Sequence, residues 1–341
     1  MNTVIGNYAT KALEEVQTLI KQQENFPSSA ERARLAKFVS HESEKALGIK
    51  TFEDKVKMTE LIAESNRDMF IILTENVNWS LSKDAFPLIW HTFPNNDGLQ
   101  GLRLPYPKIL IEYYFDYDAL DIVPATTNPQ HDLARRRIIS LREVLQEDYP
   151  EKIHASGFIL HSIVEVEQKR NWMLSPVSLF ISYESLNEIE SWFRQDNGNV
   201  CFKHRPDNAF IPSSLLHEIP AFKKNFEINC EELSDELRVA LGFLQIINCK
   251  NAPIEVVPPS EKLNKKRAKQ GRVLTPTYRT LKVSGHVTTG RTGTGSSGPK
   301  KTHWRRGHIR NQPTAKGIIK KWIKPMIIGA GKADNPEIVL T

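Results

Sequence analysis

The residue types that bind phosphate esters are concentrated in one short segment, residues 303–310, with the sequence HWRRGHIR. Guanidinium groups bind phosphate oxygens through paired hydrogen bonds, and an indole ring can stack on any nucleic-acid base. Side chains alternate between the two faces of a β-strand, so an extended segment would carry a mixed cationic and aromatic set on one face. That set is Trp304, Arg306, His308 and Arg310, and the opposite face would carry His303, Arg305 and Ile309.

The same segment suggests one form of catalysis. RNA carries its own nucleophile, the 2′-hydroxyl, so its cleavage without a metal needs a base and a cationic group that stabilises the transition state. If the chain cleaves RNA, we expect His303 or His308 as the base and Arg306 as the cationic group. The alternative is a solvated basic hairpin whose histidines only add hydrogen bonds.

A second basic run precedes this segment, in residues 262–272 (KLNKKRAKQGR). Such runs are typical of nucleic-acid-binding surfaces, although they also occur on solvated loops. We therefore predict a nucleic-acid-binding set that draws on both runs. Its members are Lys265, Lys266, Arg267, Lys301, Trp304, Arg305 and Arg310.

The charge distribution agrees with this interpretation. The 341 residues include 46 Lys+Arg and 40 Asp+Glu, a net charge of +6. Residues 261–341 hold 19 of the basic and 3 of the acidic residues, a net of +16, which leaves 27 basic and 37 acidic residues in 1–260, a net of −10. An asymmetry of this size predicts a polyanionic partner, usually nucleic acid. The alternatives are docking of the basic segment on its own acidic body and a solvated tail.

Metal and nucleotide sites have weaker signals. Asp116, Asp118 and Asp121 follow a predicted strand, and an E-x-K pattern ends at Lys169, so a Mg²⁺-dependent nuclease is a rival interpretation. The glycine-rich run at 293–300 does not fit a P-loop, because Pro299 stands where the lysine is required. The three cysteines fit neither a zinc finger nor a disulfide framework. We expect no metal and no cofactor.

One carboxylate is out of place in an apolar run. Glu112 lies inside residues 109–114, directly after the turn sequence LPYP. A buried carboxylate needs a partner. We expect an arginine from the basic C-terminal segment to supply it, which would join the two halves of the chain.

The elements that position these residues predict an α+β fold with a helical N-terminal layer and a central mixed or antiparallel sheet. A basic C-terminal β-hairpin follows a mobile Gly/Ser-rich loop at 285–301. The predicted regions are 1–65 (helical), 66–250 (α+β body) and 251–341 (basic, nucleic-acid-binding). Predicted strands are 69–73, 108–115, 153–166, 173–181, 254–257 and 278–283, and predicted helices beyond residue 65 are 133–145, 186–194, 213–224 and 230–248. The hairpin would join 303–310 to 318–328 through a turn at 311–317.

Three blocks, in this order, resemble a loose set of bacteriophage and prophage proteins. They are Leu102–Glu112 (LRLPYPKILIE), Asn264–Leu281 (NKKRAKQGRVLTPTYRTL) and His303–Gly329, where HWRRGHIR is followed by WIKP and a glycine. The resemblance implies a phage or mobile-element origin and a host-cytoplasm setting. It supplies neither a mechanism nor catalytic residues.

Together these patterns predict a phage-encoded, cytoplasmic protein that binds nucleic acid, with RNA favoured over DNA, and whose enzymatic class would be a metal-independent ribonuclease. The alternative is a non-enzymatic interaction factor that binds a host or phage protein through its acidic body. No stretch reaches the length of a membrane span, and the N-terminus lacks a signal-peptide pattern, so no membrane partner is expected.

Overall fold

The computed structural model describes residues 7–26, 28–35, 49–92, 94–115, 136–148, 155–166, 171–187, 193–196, 199–202, 220–281, 303–305, 307–324, 326–328 and 337–338. Its N-terminal part is helical, as predicted, with α1 (Tyr8–Glu24), α2 (Ser29–Leu35) and α3 (Phe52–Leu73). Thr51 starts α3 with a capping box, in which its hydroxyl accepts from the Asp54 amide and the Asp54 carboxylate accepts from the Thr51 amide.

The last turn of α3 lies where the sequence predicts a strand. That predicted strand, residues 69–73, is wrong, because these residues continue the helix that begins at Phe52. Met69 and Leu73, one helical turn apart, are both buried against α1 and the sheet. Periodicity cannot distinguish a buried strand from the buried end of a helix in an apolar run this short. Here the run continues the long helix that precedes it.

The strands of the body alternate with loops and helices along the chain. They are β1 (Val77–Ser80), β2 (Lys108–Tyr114), β3 (Arg136–Val144), β4 (Gly157–Val166), β5 (Asn171–Ser182), β6 (Phe193–Asp196), β7 (Asn199–Phe202), β8 (Ile254–Val257) and β9 (Tyr278–Leu281). Seven of them form one sheet in the order β5-β4-β3-β2-β1-β9-β8, in which β1 runs parallel to both of its neighbours and the other pairs are antiparallel. The predicted α+β class with a mixed sheet is confirmed.

The segment 133–145 was predicted as a basic amphipathic helix, but its residues Arg136–Val144 form β3 instead. Ile138 and Ile139 are adjacent and fully buried, yet they belong to core clusters on opposite faces of the sheet. A strand that is covered on both faces buries consecutive residues, so its sequence lacks simple alternation. Arg137 is buried as well, and its guanidinium lies 2.7 Å from the carboxylate of Glu236. The arginines that suggested an exposed helix face therefore include a core residue.

Four helices complete the described body: α4 (Ala85–Trp90), α5 (Asn96–Leu99), α6 (Pro220–Ile247) and α7 (Glu261–Lys269). The predicted helices 213–224 and 230–248 become one helix that is described from Pro220 onward, and proline is favoured in the first turn of a helix. The helix predicted at 186–194 is not found in the described residues of that range: 185–187 form a 3₁₀ turn and 193–194 belong to β6, which pairs with β7, while 188–192 lie outside the described residues. The Asn197-Gly198 dipeptide between these two strands is a strong hairpin signal in the sequence.

The sheet is covered on both faces. Helix α6 packs on one face, where Leu237, Leu241 and Phe243 join a large core cluster with Trp79 and Ile111. Helices α1 and α3 pack on the other face, in a cluster that includes Val16, Met69, Leu110, Ile138 and Ile163. The result is a three-layer arrangement with the sheet between helices.

The C-terminal region contributes β10 (His303–Arg305), β11 (His308–Thr314), β12 (Gly317–Ile323), β13 (Met326–Ile328) and β14 (Glu337–Ile338). Strands β11 and β12 form the predicted hairpin, with a shorter turn at 315–316 and Gly317 at φ +111°, a backbone conformation that favours glycine. The boundaries 1–65, 66–250 and 251–341 stay predictions, and β8 and β9 extend the body's sheet from beyond residue 250. The predicted mobile loop at 285–301 lies outside the described residues. No helix in the described ranges is long and apolar enough to cross a membrane.

Candidate nucleic-acid interface

The terminal hairpin is attached to the body through one of its faces. Ile309 and Trp322 lie opposite each other on β11 and β12, and both are buried in the core cluster beneath α6. The indole N–H of Trp322 donates a hydrogen bond to Oγ1 of Thr92 at 3.1 Å. The Asn251 side chain exchanges two hydrogen bonds with the backbone of Trp322, at 2.9 and 3.0 Å. The hairpin is therefore held in one orientation relative to the sheet.

Lys320 belongs to this attachment. Its ammonium group donates to the carbonyl oxygens of Gly98, at 2.9 Å, and Gln100, at 2.6 Å. These carbonyls lie at the C-terminal end of α5, where backbone acceptors have no partner within the helix. Partial burial lowers the pKa of Lys320. Although basic, this side chain is engaged by the body.

The opposite face of the hairpin carries positive charge. Arg310 is exposed and lies directly across from Lys321 on the partner strand. The next cross-strand pair on the same face is His308 and Ile323. Like charges at one cross-strand position destabilise a hairpin. Residues 303–324 contain no Asp or Glu that could offset this repulsion within the hairpin. We call Arg310, Lys321 and His308 the outer face.

The predicted single strand over 303–310 is wrong. Strand β10 pairs with β13 and β14, β11 pairs with β12, and Gly307 between them bridges to Thr92 of the body. The predicted alternation therefore extends only from His308 to Arg310, with Ile309 buried between them. His303, Trp304 and Arg305 lie on β10, where the backbone alone is described, and Lys301 and Arg306 lie outside the described residues.

The second predicted basic set is divided by helix α7. Lys265 and Lys266 are exposed, and among the described residues their one carboxylate contact is that of Lys265 with Glu261, 3.7 Å away and one turn earlier. Arg267 points the other way: its Nη2 donates to the Glu14 carboxylate at 2.7 Å, and its Nε donates to the Val273 carbonyl.

Arg272 joins Arg267 on the same carboxylate. It donates to both oxygens of Glu14, at 2.9 and 2.7 Å. The C-terminal end of helix α7 brings Arg272 to this carboxylate. Gly271, at φ +64°, reverses the chain there, and the Arg272 amide donates a hydrogen bond to the Arg267 carbonyl. We call Glu14, Arg267 and Arg272 the Glu14 clamp. In this part of the chain the basic segment docks on its own acidic body, which was one of the alternatives.

The buried carboxylate at Glu112 has partners other than the arginine that was predicted. It accepts hydrogen bonds from the amides of Asn7 (2.9 Å) and Ala9 (3.1 Å) and from the hydroxyl of Tyr278 (3.1 Å). The carboxylate thus caps the N-terminus of α1, which a negative charge stabilises. Burial raises the pKa of Glu112 while these hydrogen bonds oppose the shift. Tyr278 of β9 makes the link to the C-terminal region that the arginine was expected to make.

The rival metal site receives no support from the described residues. Glu165 is paired with Arg136 at 2.6 Å, and Asp116, Asp118, Asp121 and Lys169 lie outside the described ranges. Within the part of the chain that is described, no group of three His, Cys, Asp or Glu side chains could hold a metal ion. The glycine-rich run at 293–300 is also outside the described residues.

The binding set predicted from the sequence left out Lys321 on the hairpin, and it left out Lys262 and Lys269 although both belong to the basic run 262–272. Lys321 could have been found from register, since counting back from a two-residue turn at 315–316 places it opposite Arg310. The α7 lysines could have been found from the spacing i, i+3, i+4 and i+7, which gathers side chains on one helix face.

No curated protein and no solved structure matches the chain. A family model with the description "AcrVA2-like: Anti-CRISPR type V subtype A2 family" matches residues 79–330, which is more than half of the 341 residues. The matched range begins in β1 and contains α6, α7 and the terminal hairpin. The chain belongs to this AcrVA2-like anti-CRISPR family.

Proposed function

We propose that this protein acts on a type V CRISPR system by binding nucleic acid, with RNA favoured over DNA, through the outer face of its terminal hairpin. The family is phage-associated, and its members interact with the host or its CRISPR machinery. The observation that carries the proposal is the pair Arg310–Lys321, two cations at one cross-strand position with no acidic residue in 303–324. A phosphate between them would turn a repulsive contact into an attractive one.

RNA is the favoured ligand because the family description names type V CRISPR systems as the target. CRISPR effectors delegate sequence recognition to a guide RNA, whose backbone is a polyanion that belongs to the machinery itself. A protein that reaches this RNA by backbone contacts would not depend on the guide sequence. The host-cell setting of this action follows from the same proposal.

Cleavage of the bound RNA is the enzymatic form of the proposal. His308 is half-buried on the outer face, two residues from the exposed Arg310. In that form His308 or His303 removes the proton from the 2′-hydroxyl, the 2′-oxygen bonds to the adjacent phosphorus, and the bond from phosphorus to the 5′-oxygen breaks, with a proton from water taken up by the leaving oxygen. Arg306 stabilises the charge that develops on the phosphate. A denaturing gel of guide RNA after incubation, with and without chelator, tests it. Cleavage that persists in chelator and is lost in His308→Ala or His303→Ala supports the enzymatic form, and intact RNA contradicts it.

The experiment for binding compares four ligands with the full chain: labelled guide RNA, DNA of the same sequence, the type V effector protein without guide, and the effector–guide complex. We expect binding to the RNA alone and weaker binding in Arg310→Gln/Lys321→Gln. A matched control with the same charge change is Lys21→Gln/Lys57→Gln, two exposed lysines on α1 and α3. Binding only to the effector without guide, unchanged in the hairpin variant, would favour the alternative of a protein-binding factor that uses its acidic body.

A C-terminal truncation is not a suitable test. Removing residues 261–341 would delete β9, which lies inside the sheet between β1 and β8, and with it the Tyr278 hydroxyl that bonds Glu112. Loss of binding would then report loss of the fold. Point substitutions of Arg310, which is exposed, and Lys321, which is half-buried, avoid this problem.

A further inference from the structure

Helix α7 carries its lysines on a single side. At 100° per residue, Lys262, Lys265, Lys266 and Lys269 fall within an arc of about 100°. All four side chains are exposed. We call them the lysine face. The side chains that hold the helix in place, Asn264 and Arg267, lie on the other side of the helix.

The helix is held rigidly in spite of its exposure. The Asn264 side chain exchanges two hydrogen bonds with the backbone of Thr275, both at 2.9 Å. Arg267 is fixed by the Glu14 clamp, and Ser260 caps the helix by accepting from the Leu263 amide. A lysine run on a mobile loop would present its charges from many backbone arrangements, whereas the held helix keeps the four lysines on one side at fixed backbone positions. Preorganised charges lose less entropy when they bind.

The lysine face is unfavourable for the free protein. Like charges three or four residues apart destabilise a helix, and here Lys262 and Lys269 each have two such neighbours among the other lysines. Among the described residues, the lysines have one ion pair, that of Lys265 with Glu261 at 3.7 Å, between two exposed side chains. Neither the capping of α7 nor its docking requires this charge, because Ser260, Asn264 and Arg267 perform those roles.

We propose that the lysine face binds the sugar–phosphate backbone of double-stranded nucleic acid without regard to its sequence. Lysine ammonium groups are point charges that contact phosphates without reading base edges. The sequence of α7, EKLNKKRAK, has no aromatic side chain that could stack on unpaired bases, which is how single strands are usually bound. From Lys262 to Lys269 the helix rises about 10 Å, the length over which one strand of a duplex presents about three phosphates.

This site is separate from the hairpin, so the two proposals can fail independently. The probe is a labelled, blunt duplex of scrambled sequence, as RNA and as DNA, titrated with the full chain across a salt series. The test variant replaces all four lysines of the lysine face by glutamine, which keeps helix propensity and removes the charge. The control variant replaces Lys21, Lys50, Lys57 and Lys83, four exposed lysines elsewhere, and changes the net charge by the same amount. The hairpin variant Arg310→Gln/Lys321→Gln is measured with the same duplex and with a single strand.

We expect the test variant to bind the duplex at least tenfold more weakly, with a salt slope that falls by about 2.7 in log–log units for about three lost phosphate contacts. The control variant should keep the affinity and slope of the unchanged chain. Equal weakening in test and control variants would reduce the effect to net charge and overturn the inference, as would an unchanged test variant. Persistent single-strand binding that depends on the hairpin, together with an unchanged test variant, would overturn only this inference. Absence of binding to either nucleic acid would overturn both proposals.

Discussion

Arg310 and Lys321 face each other across the terminal hairpin, on the side opposite the buried pair Ile309 and Trp322. The two faces of this hairpin have different roles. The buried face supplies the packing and hydrogen bonds that hold the hairpin on the body, while the outer face concentrates charge that the free protein does not need. Such a division is expected of a surface that binds an anion.

Replacing Lys321 by glutamate should stabilise the protein and weaken its binding to RNA. Lys321→Glu turns a repulsive cross-strand pair into an attractive one, so we expect the free energy of unfolding to rise by about 0.2 to 1 kcal/mol. Urea unfolding measures the first effect and anisotropy of a labelled RNA the second. Lys316→Glu, at the exposed turn of the same hairpin, makes the same charge change away from Arg310. RNA affinity that is unchanged in Lys321→Glu would contradict the role of the outer face.

Trp322 should be the main stability determinant of the hairpin. Truncation to alanine removes a buried indole, so Trp322→Ala should cost about 3 to 5 kcal/mol in urea unfolding. Trp322→Phe keeps most of the apolar contact but loses the hydrogen bond to Thr92, and we expect a cost of about 1 to 2 kcal/mol. If Trp322→Ala were as stable as the unchanged protein, the hairpin could not be docked as described.

The Glu14 clamp should control the order of residues 261–275. In Glu14→Gln both arginines lose their anionic partner, and we expect faster trypsin cleavage after the lysines of α7 because the helix is then held less tightly on the body. Glu24→Gln, on an exposed position of the same helix, serves as the matched control. Equal cleavage rates in the two variants would show that α7 is held by other contacts.

His161 should make the protein less stable in acid. Burial, reinforced by the nearby Arg142, lowers the pKa of His161 to about 4, and its Nδ1 lies 2.7 Å from the Ser178 hydroxyl. The pKa of an unfolded histidine is about 6.5. Between these values the unfolded chain binds more protons, so this contribution to stability is present above about pH 6.5 and is lost as the pH falls to about 4.

The slope that this one site contributes is at most about 1.4 kcal/mol per pH unit. His161→Gln removes the titrating group, so the difference in unfolding free energy between the two proteins should vary with pH in this range only. Urea unfolding of both proteins between about pH 4 and pH 7 measures it. A difference that does not depend on pH would show that His161 is not held neutral by the fold.

Local patterns in the sequence were sufficient for much of the fold. The helical N-terminal layer, the strand at 108–114, the short strands at 254–257 and 278–281 and the terminal hairpin all follow from local periodicity and turn residues. Residues 133–145 show where such patterns fail. A strand with helices on both faces has no polar side, so its sequence does not show the two-residue alternation of a strand. The sequence pattern also predicts that Arg137 is exposed to solvent, whereas it is paired with Glu236 in the core.

The candidate interface shows a similar limit. Residue types were sufficient to identify the basic runs. Only tertiary contacts show that Arg267 is paired with the body whereas Lys265 and Lys266 are exposed. Its partner Glu14 lies 253 residues away along the chain, so no local pattern could reveal the pairing. The partners of Glu112 are likewise backbone amides of a distant helix and the hydroxyl of Tyr278. Register, which follows from the turn, was the one accessible signal for Lys321.

The central claim is that nucleic acid binds the outer face of the hairpin, and a salt series of anisotropy measurements tests it most directly. A labelled RNA is titrated with the full chain and with Arg310→Gln/Lys321→Gln, from roughly 50 to 200 mM salt. We predict that the affinity of the full chain falls steeply with salt, and that the slope of the variant is smaller by about 1.4 to 1.8, as expected for two lost phosphate contacts. Identical affinities and slopes for the two proteins, or no binding at the lowest salt concentration, would contradict the account.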